Sequence, residues 1–242
     1  PAPIAPCSEF GLGLGPLAVA AGYWAIGIVA WRVGGVDAPL EFFLVAAVAL
    51  ATGLLSAIPL DAAGRLFYVA LAWLGPLIFH AHYQVIRRPL YRAEHVLLLG
   101  GYAISGLLSL PFLCWPIAVL QAQTWYTLLW MTVRLSLTGF VGLTLAYLGY
   151  LYASRAVTTG DRQRLRILFF GVLLAFAPLL LLSLLPHTLG APFHVPYIYT
   201  FPALLLSPLA YLYVQFRPRL LRWEPVLQRS ASYYLLLVLL SS

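Results

Sequence analysis

Long apolar runs separated by short polar turns make up most of the chain. Seven of these runs are long enough to cross about 30 Å of bilayer hydrocarbon, which takes roughly 20 helical residues. Since backbone polar groups in lipid must bond within their own segment, each run predicts a helix. The predicted helices cover about 11–31, 40–58, 66–86, 93–116, 125–153, 167–185 and 197–216. The pattern therefore predicts an all-α polytopic membrane protein with seven transmembrane helices.

An eighth apolar run begins at Tyr233 and reaches Ser242 before it is long enough to span. We therefore expect three parts. Residues 1–10 form an extracytoplasmic N-terminal segment, 11–216 form the seven-helix transmembrane domain, and 217–242 form a cytoplasmic basic segment with the start of a further helix.

The arginines predict the orientation of the chain, because cytoplasmic turns hold an excess of positive charge. Twelve of the 14 basic residues fall on alternate turns, the densest cluster being Arg155–Arg166. The opposite turns hold only Arg65, offset by Asp61. The N-terminus is therefore predicted outside and the turn after the seventh helix inside. The predicted anchors are Arg32, Arg87, Arg88, Arg92, Arg155, Arg162, Arg164, Arg166, Arg217, Arg219, Arg222 and Arg229.

Composition supports the membrane assignment and narrows the partners. The chain is 62% apolar and 9% charged, whereas soluble domains carry about 25% charged residues. A net charge of +7 would suit nucleic acid, but these arginines lie in short turns between apolar runs. They indicate topology and lipid-headgroup contacts, so we expect membrane lipids and other membrane-protein subunits as partners, and no nucleic acid. The N-terminus has no basic region of the kind that opens a signal peptide.

Candidate catalytic chemistry is sparse. The sequence contains no lysine, which excludes a retinal Schiff base of the rhodopsin kind. Cys7 and Cys114 lie on different segments and predict neither a disulfide framework nor a metal motif. No paired intramembrane carboxylates and no Ser/His/Asp set stand out. We therefore expect a non-enzymatic chain with no catalytic residues and no metal.

Three histidines, His80, His82 and His95, cluster near the predicted inner ends of the third and fourth helices. A haem or metal site needs ligands that face each other at one depth, and residues two apart do not share a helix face. Interfacial hydrogen bonding is the preferred interpretation. His187 and His194, in the predicted outer turn, could sense pH; a solvated loop is the alternative.

Arg134 differs from the other arginines because it lies within an apolar run. It is nine residues beyond Trp125, roughly 13 Å into the fifth helix, and no acidic residue is predicted at that depth. A buried arginine must find carbonyls, hydroxyls, water or an anionic ligand. On its own helix, Thr138 and Trp130 are candidate partners. Structural pairing or snorkelling is one interpretation, and a ligand, quinone or lipid site is the other; no other cofactor is expected.

We predict that the Arg134 side chain faces protein or a polar ligand. Its guanidinium should then lie about 2.7–3.2 Å from an oxygen acceptor.

The later helices resemble a known family. The segments R-Q-R-L-R-I-L-F-F-G-V-L-L-A-F-A-P and P-A-L-L-L-S-P-L-A-Y-L-Y-V-Q-F-R-P-R-L-L-R-W-E-P resemble the multi-helix membrane region of bacterial sensor histidine kinases of the ComP type. The resemblance covers about residues 40–240. It implies a location in the bacterial cytoplasmic membrane and a role in signal input. The family's phospho-accepting histidine helix and glycine-rich ATP lid have no counterpart in these residues.

Three functions follow as expectations. The first is a non-catalytic membrane sensor or input region. The second is an accessory transmembrane subunit of a larger respiratory or photosynthetic complex, and the third is a transporter. Pro111, Pro116, Pro178, Pro202 and Pro208 could mark broken transporter helices, but no inverted repeat accompanies them, so we expect kinks or loop ends at these positions.

Overall fold

The computed structural model describes residues 8–34, 37–55, 61–84, 92–153, 159–191 and 195–214. Every regular element within these ranges is helical, as predicted. The long helices are α1 (Ser8–Gly34), α2 (Asp37–Leu55), α3 (Asp61–Tyr83), α4 (Arg92–Cys114), α6 (Tyr126–Ala153) and α7 (Thr159–Pro178). The short elements are α5 (Ile117–Gln121), a π-helical turn (Leu179–Leu184), α8 (Leu185–Thr188), α9 (Tyr197–Thr200), a 3₁₀ turn (Phe201–Leu205) and α10 (206–214).

Four helical stretches in the described ranges are long and apolar enough to cross a membrane. They are Asp61–Tyr83, Glu94–Cys114, Tyr126–Ala153 and Asp161–Thr188, corresponding to the third to sixth predicted spans. Two shorter apolar helices cover Leu40–Gly53 and Phe201–Val214. By length and composition, therefore, this is a helical membrane protein.

The helices extend beyond the apolar runs that predict them. We expected Arg162, Arg164 and Arg166 in a loop, but α7 begins at Thr159, so all three lie on its first turns. Arg164 pairs there with Asp161, with 3.6 Å between nitrogen and oxygen. The expectation was wrong because an apolar run marks only the part of a helix that suits hydrocarbon, whereas helical backbone hydrogen bonding continues through the polar residues beside it.

Several predicted features lie outside the described residues. They are the anchors Arg87, Arg88, Arg155, Arg217, Arg219, Arg222 and Arg229, the segment 217–242 with its eighth apolar run, and most of the segment 1–10. Arg92 is the first residue of α4, and Arg32 lies in the last turn of α1.

Pro111 does not interrupt the fourth helix, because it lies inside α4, which ends at Cys114 just before Pro116. The Arg65 guanidinium donates to the carbonyl oxygen of Phe112 at 2.7 Å and to that of Leu113. Helix ends leave such carbonyls without intrahelical partners. The Asp61 carboxylate, 3.7 Å from the Arg65 guanidinium, accepts a 2.6 Å bond from the Ile117 amide at the start of α5. This acid–base pair thus joins α3 to the α4–α5 corner.

The helices pack as a closed ring. Its order is α1, α2, α3, α6, α7 and the 3₁₀ turn that leads into α10, and this turn packs back against α1. A 2.8 Å bond from the Tyr23 hydroxyl to the Leu204 carbonyl oxygen fixes the closure. Helix α4 lies outside the ring against α3. The described core runs around the inside of the ring, from Val19 on α1 to Val214 on α10.

Small residues set the closest helix approaches. An added Cβ would lie 2.9 Å from the Phe140 ring at Gly75 and 2.6 Å from it at Gly101. Phe140 of α6 is therefore seated between α3 and α4. On the other side of the ring, an added Cβ at Gly171 would lie 2.3 Å from the Ala210 Cβ, so α7 and α10 meet almost backbone to backbone.

Candidate functional site: an apolar cavity with one buried arginine

A cavity of about 440 Å³ lies at the centre of the ring. Every element of the ring contributes side chains to its wall. One from each is Tyr23 (α1), Ala49 (α2), Leu74 (α3), Leu137 (α6), Phe176 (α7) and Leu204 (3₁₀ turn). The wall is almost entirely apolar, and the volume falls within the roughly 300–1,000 Å³ of small-molecule sites.

The cavity occupies one half of the bundle. Its wall includes Gly53 near the end of α2, Phe67 near the start of α3 and Trp130 near the start of α6. These residues mark the end of the bundle that carries Asp61 and Gln123. The arginines of α7 lie at the opposite end, which we call the arginine-rich end.

Among the residues that the structure describes, Arg134 is the one charged residue in the wall of this cavity. It lies on α6, eight residues after the helix begins at Tyr126, and only 8% of its surface is exposed. Its side chain therefore faces protein and the cavity, as its position in the sequence predicted, and whether it binds a ligand remains a prediction.

An aromatic cluster holds the guanidinium in place. The central carbon of the guanidinium lies 4.1 Å from the Trp130 ring centroid, close enough for a cation–π contact. Tyr68 meets Trp130 edge to face at 4.7 Å, and Phe67 does so at 6.1 Å. The predicted contact with Trp130, one turn earlier on the same helix, is therefore present.

Hydrogen bonding to the guanidinium is incomplete. Its Nη1 donates to the Thr188 hydroxyl at 3.4 Å, longer than predicted, and its Nε has no partner among the described residues. The other predicted partner, Thr138, donates at 2.9 Å to the main-chain carbonyl oxygen of Arg134 and leaves the guanidinium alone. The described part of the chain places no carboxylate within 4 Å of this cation.

The partner Thr188 is positioned by a local irregularity that the sequence did not indicate. After Pro178, which has no amide proton to donate, the helix widens into the π-turn Leu179–Leu184, and the Leu185 amide bonds to the Leu180 carbonyl oxygen five residues back. Thr188 then donates to the Leu184 carbonyl oxygen at 2.7 Å. Pro178 inside an apolar run was the available signal, and it predicted only a kink.

The histidines that the structure describes form no shared centre. His80 bonds through its two ring nitrogens to the Tyr102 hydroxyl at 2.7 Å and the Gln84 amide at 2.9 Å. His82 is buried and its Nδ1 lies 2.8 Å from the Ile78 carbonyl oxygen, while His95 is exposed. The described residues contain no group of three metal-binding side chains. His187 packs its ring 6.0 Å from that of Tyr197, and His194 lies outside the described residues.

Comparison with known protein families, with curated proteins and with solved structures finds no match to this chain. The site must therefore be interpreted from its own chemistry.

Proposed function

We propose that the chain is a non-catalytic membrane input domain of a bacterial signalling protein, and that the central cavity is its ligand site. In this proposal seven helices span the cytoplasmic membrane, with the N-terminus outside and the arginine-rich end in the cytoplasm. The observation that carries the proposal is a partly open apolar cavity, walled by every helical element of the ring, that contains one buried cation among the described residues.

The arrangement of the helices supports this topology. Within the described residues, helical stretches at 8–34, 37–55, 61–83, 92–114, 126–153, 159–188 and 197–214 occur in the same order as the predicted spans, with the short α5 between the fourth and the fifth. Arg32 ends α1, and Arg162, Arg164 and Arg166 begin α7, so these arginines share one end of an antiparallel bundle. The resemblance to histidine kinase membrane regions, which these arginine-rich segments carry, agrees with that orientation.

A ring around a cavity also provides a route for signalling. A ligand that touches all the ring elements can bind one arrangement of the helices more tightly than another, and only such a difference in affinity shifts a conformational equilibrium. Helix α7 is the best placed to respond. Phe176 near its end and Leu184 in the π-turn that follows it line the cavity, while its first turns lie at the arginine-rich end. The π-turn between Pro178 and Leu185 is a defined point at which its register can change.

The other two expectations are less well supported by this geometry. A transporter of polar solutes would need polar groups around its site, whereas this wall is apolar apart from Arg134 and two tyrosines. An accessory subunit is favoured by the exposed apolar face of α4, where Val96, Leu99 and Leu107 are 66–70% exposed. Lipid contact explains that face equally well, so the accessory subunit stays second.

Distance measurements between the arginine-rich ends of two helices test the input function. Spin labels would be placed at Gln163 on α7 and Trp31 on α1, both exposed, after Cys7 and Cys114 are changed to serine. The probes are dodecanoate and dodecanol, added to the protein in bilayer discs of neutral lipid. We expect the distance distribution to shift on addition of at least one probe.

Two variants on neighbouring residues of α2 provide the control. Ala49→Phe fills the cavity and should suppress the shift, whereas Val48→Phe lies on the exposed face and should not. An unchanged distance with both probes, or a shift that Ala49→Phe leaves intact, contradicts the input function.

A further inference from the structure

The cavity contains a positive charge for which the described residues supply no counter-charge, and this restricts what it can bind. We propose that it takes a single-chain amphiphile with a carboxylate headgroup, in which the carboxylate pairs with Arg134 and the apolar chain fills the cavity. This inference rests on the proposed function, because it names the ligand class of the same site.

The charge argument begins with the cost of burial. A buried ion without a partner is strongly unfavourable, and removing one member of a buried pair is destabilising for the same reason. Only 8% of the Arg134 surface is exposed. Within the described residues, its side chain donates to a single neutral group, the Thr188 hydroxyl at 3.4 Å. A neutral ligand such as a quinone would accept a hydrogen bond but leave the charge uncompensated. An anion supplies both the hydrogen-bond acceptor and the opposite charge.

The geometry of the guanidinium favours a carboxylate. One face of the planar guanidinium is in contact with the Trp130 ring, with its central carbon 4.1 Å from the ring centroid. Hydrogen bonds must therefore be made along the edge of the guanidinium plane. On that edge Nη1 is directed to Thr188, while Nε has no partner in the described chain. A planar carboxylate binds two adjacent N–H groups of arginine side by side, in a geometry that lysine cannot reproduce.

The rest of the cavity determines the length and number of the ligand's chains. From Arg134 the wall continues through Leu137, Leu74 and Phe176, which offer no charged group. A methylene group is of similar size to a water molecule, which occupies roughly 30 Å³, so 440 Å³ accommodates about fifteen such groups. This suits one medium-length alkyl chain and is too small for a lipid with two long chains.

Equilibrium binding of a matched pair of ligands tests the inference. The purified full chain in discs of neutral phosphocholine lipid is titrated with radiolabelled dodecanoate or dodecanol, and partitioning into protein-free discs is subtracted. We expect saturable binding of one dodecanoate and at least tenfold weaker binding of dodecanol. From octanoate to dodecanoate the affinity should rise about three- to fourfold per methylene, the ratio expected from burying each group.

The variants separate the charge from the cavity. Arg134→Gln should weaken dodecanoate binding roughly ten- to a hundredfold, as expected for hydrogen bonds to a charged group, and should weaken dodecanol binding much less. Arg134→Lys keeps the charge but loses the two-pronged geometry, so its loss should be intermediate. Ala49→Phe should abolish binding of both ligands, and Val48→Phe should affect neither. Saturable dodecanol binding also shows that the Arg134→Gln protein is folded.

Each failure has a distinct meaning. If neither ligand binds saturably, the cavity is no ligand site and the proposed function fails with the inference. If both ligands bind equally and Arg134→Gln changes neither, a cavity site is retained but the carboxylate inference is overturned. Dodecanoate binding that survives Ala49→Phe places the ligand elsewhere and also overturns it.

Discussion

At the scale of single residues, two arginines depart from the pattern that the other twelve follow, and the tertiary structure gives each a different role. Arg65 is the lone arginine on the predicted outer turns, and Arg134 is the lone arginine within an apolar run. In the structure the Arg65 guanidinium interacts with the Asp61 carboxylate and with two carbonyl oxygens at the end of α4. Arg134 keeps an unpaired Nε beside a cavity. The first is therefore a structural residue and the second a candidate for binding.

The structural role of Arg65 can be tested by removing its donors. Arg65→Met keeps the length of the side chain but leaves the carbonyl oxygens of Phe112 and Leu113 without their donor, so we expect stability to fall by about 1–3 kcal/mol. Unfolding by denaturant in mild detergent measures this. Arg166→Met, at an exposed position of α7, is the control and should change stability by no more than about 0.5 kcal/mol. Equal effects at the two positions would show that the Arg65 contacts contribute nothing.

At the scale of elements, apolar runs predict which segments are helical but not how closely the helices approach. Gly171 and Gly142 both lie inside apolar helices and look equivalent in the sequence. Yet an added Cβ at Gly171 would lie 2.3 Å from the Ala210 Cβ, whereas nothing lies within 4 Å of one at Gly142. The difference depends on α10, which is distant in sequence, so no local pattern could have predicted it.

Alanine substitution at these two glycines should therefore have opposite effects. Gly142→Ala should stabilise the protein by up to about 1 kcal/mol, because alanine is the better helix former. Gly171→Ala should destabilise it by about 1–3 kcal/mol through overpacking against α10. Thermal unfolding in detergent reports both changes.

A second substitution identifies the cause at Gly171. Ala210→Gly removes the facing methyl group and should recover most of the loss in the Gly171→Ala background. If the double variant is as unstable as the single one, the close approach of α7 and α10 is not the reason.

At the scale of the whole molecule, the ring is built from contacts between distant parts of the chain. The 3₁₀ turn near residue 203 packs on α1, and α3 lies between α2 and α6 with α4 outside. The same arrangement brings Arg134 of α6 to Thr188, 54 positions away. Whether the arginine-rich end faces the cytoplasm follows from charge and stays a prediction.

Accessibility labelling in intact cells tests that orientation. Single cysteines replace Arg164, Gln123 and His187 in turn, in a background that lacks Cys7 and Cys114. Because positive charge is retained on the cytoplasmic side, a membrane-impermeant maleimide should label positions 123 and 187 strongly and position 164 only after the cells are opened. Strong labelling at 164 in intact cells, with protection at 123 and 187, would reverse the proposed topology.

The sequence alone determined the class of this protein: helical, apolar and membrane-embedded, with a candidate cation at Arg134. These properties follow from composition and from the length of apolar runs, which are local quantities. The helix ends were predicted less well, because backbone hydrogen bonding continues past the apolar residues to Thr159 and Asp61. Only the tertiary structure decided that Arg134 borders a cavity, since the wall joins residues from eight separate helical elements. Which faces of those helices meet depends on side-chain shape across the ring, for instance where Gly75 and Gly101 receive Phe140, and no single segment encodes that fit.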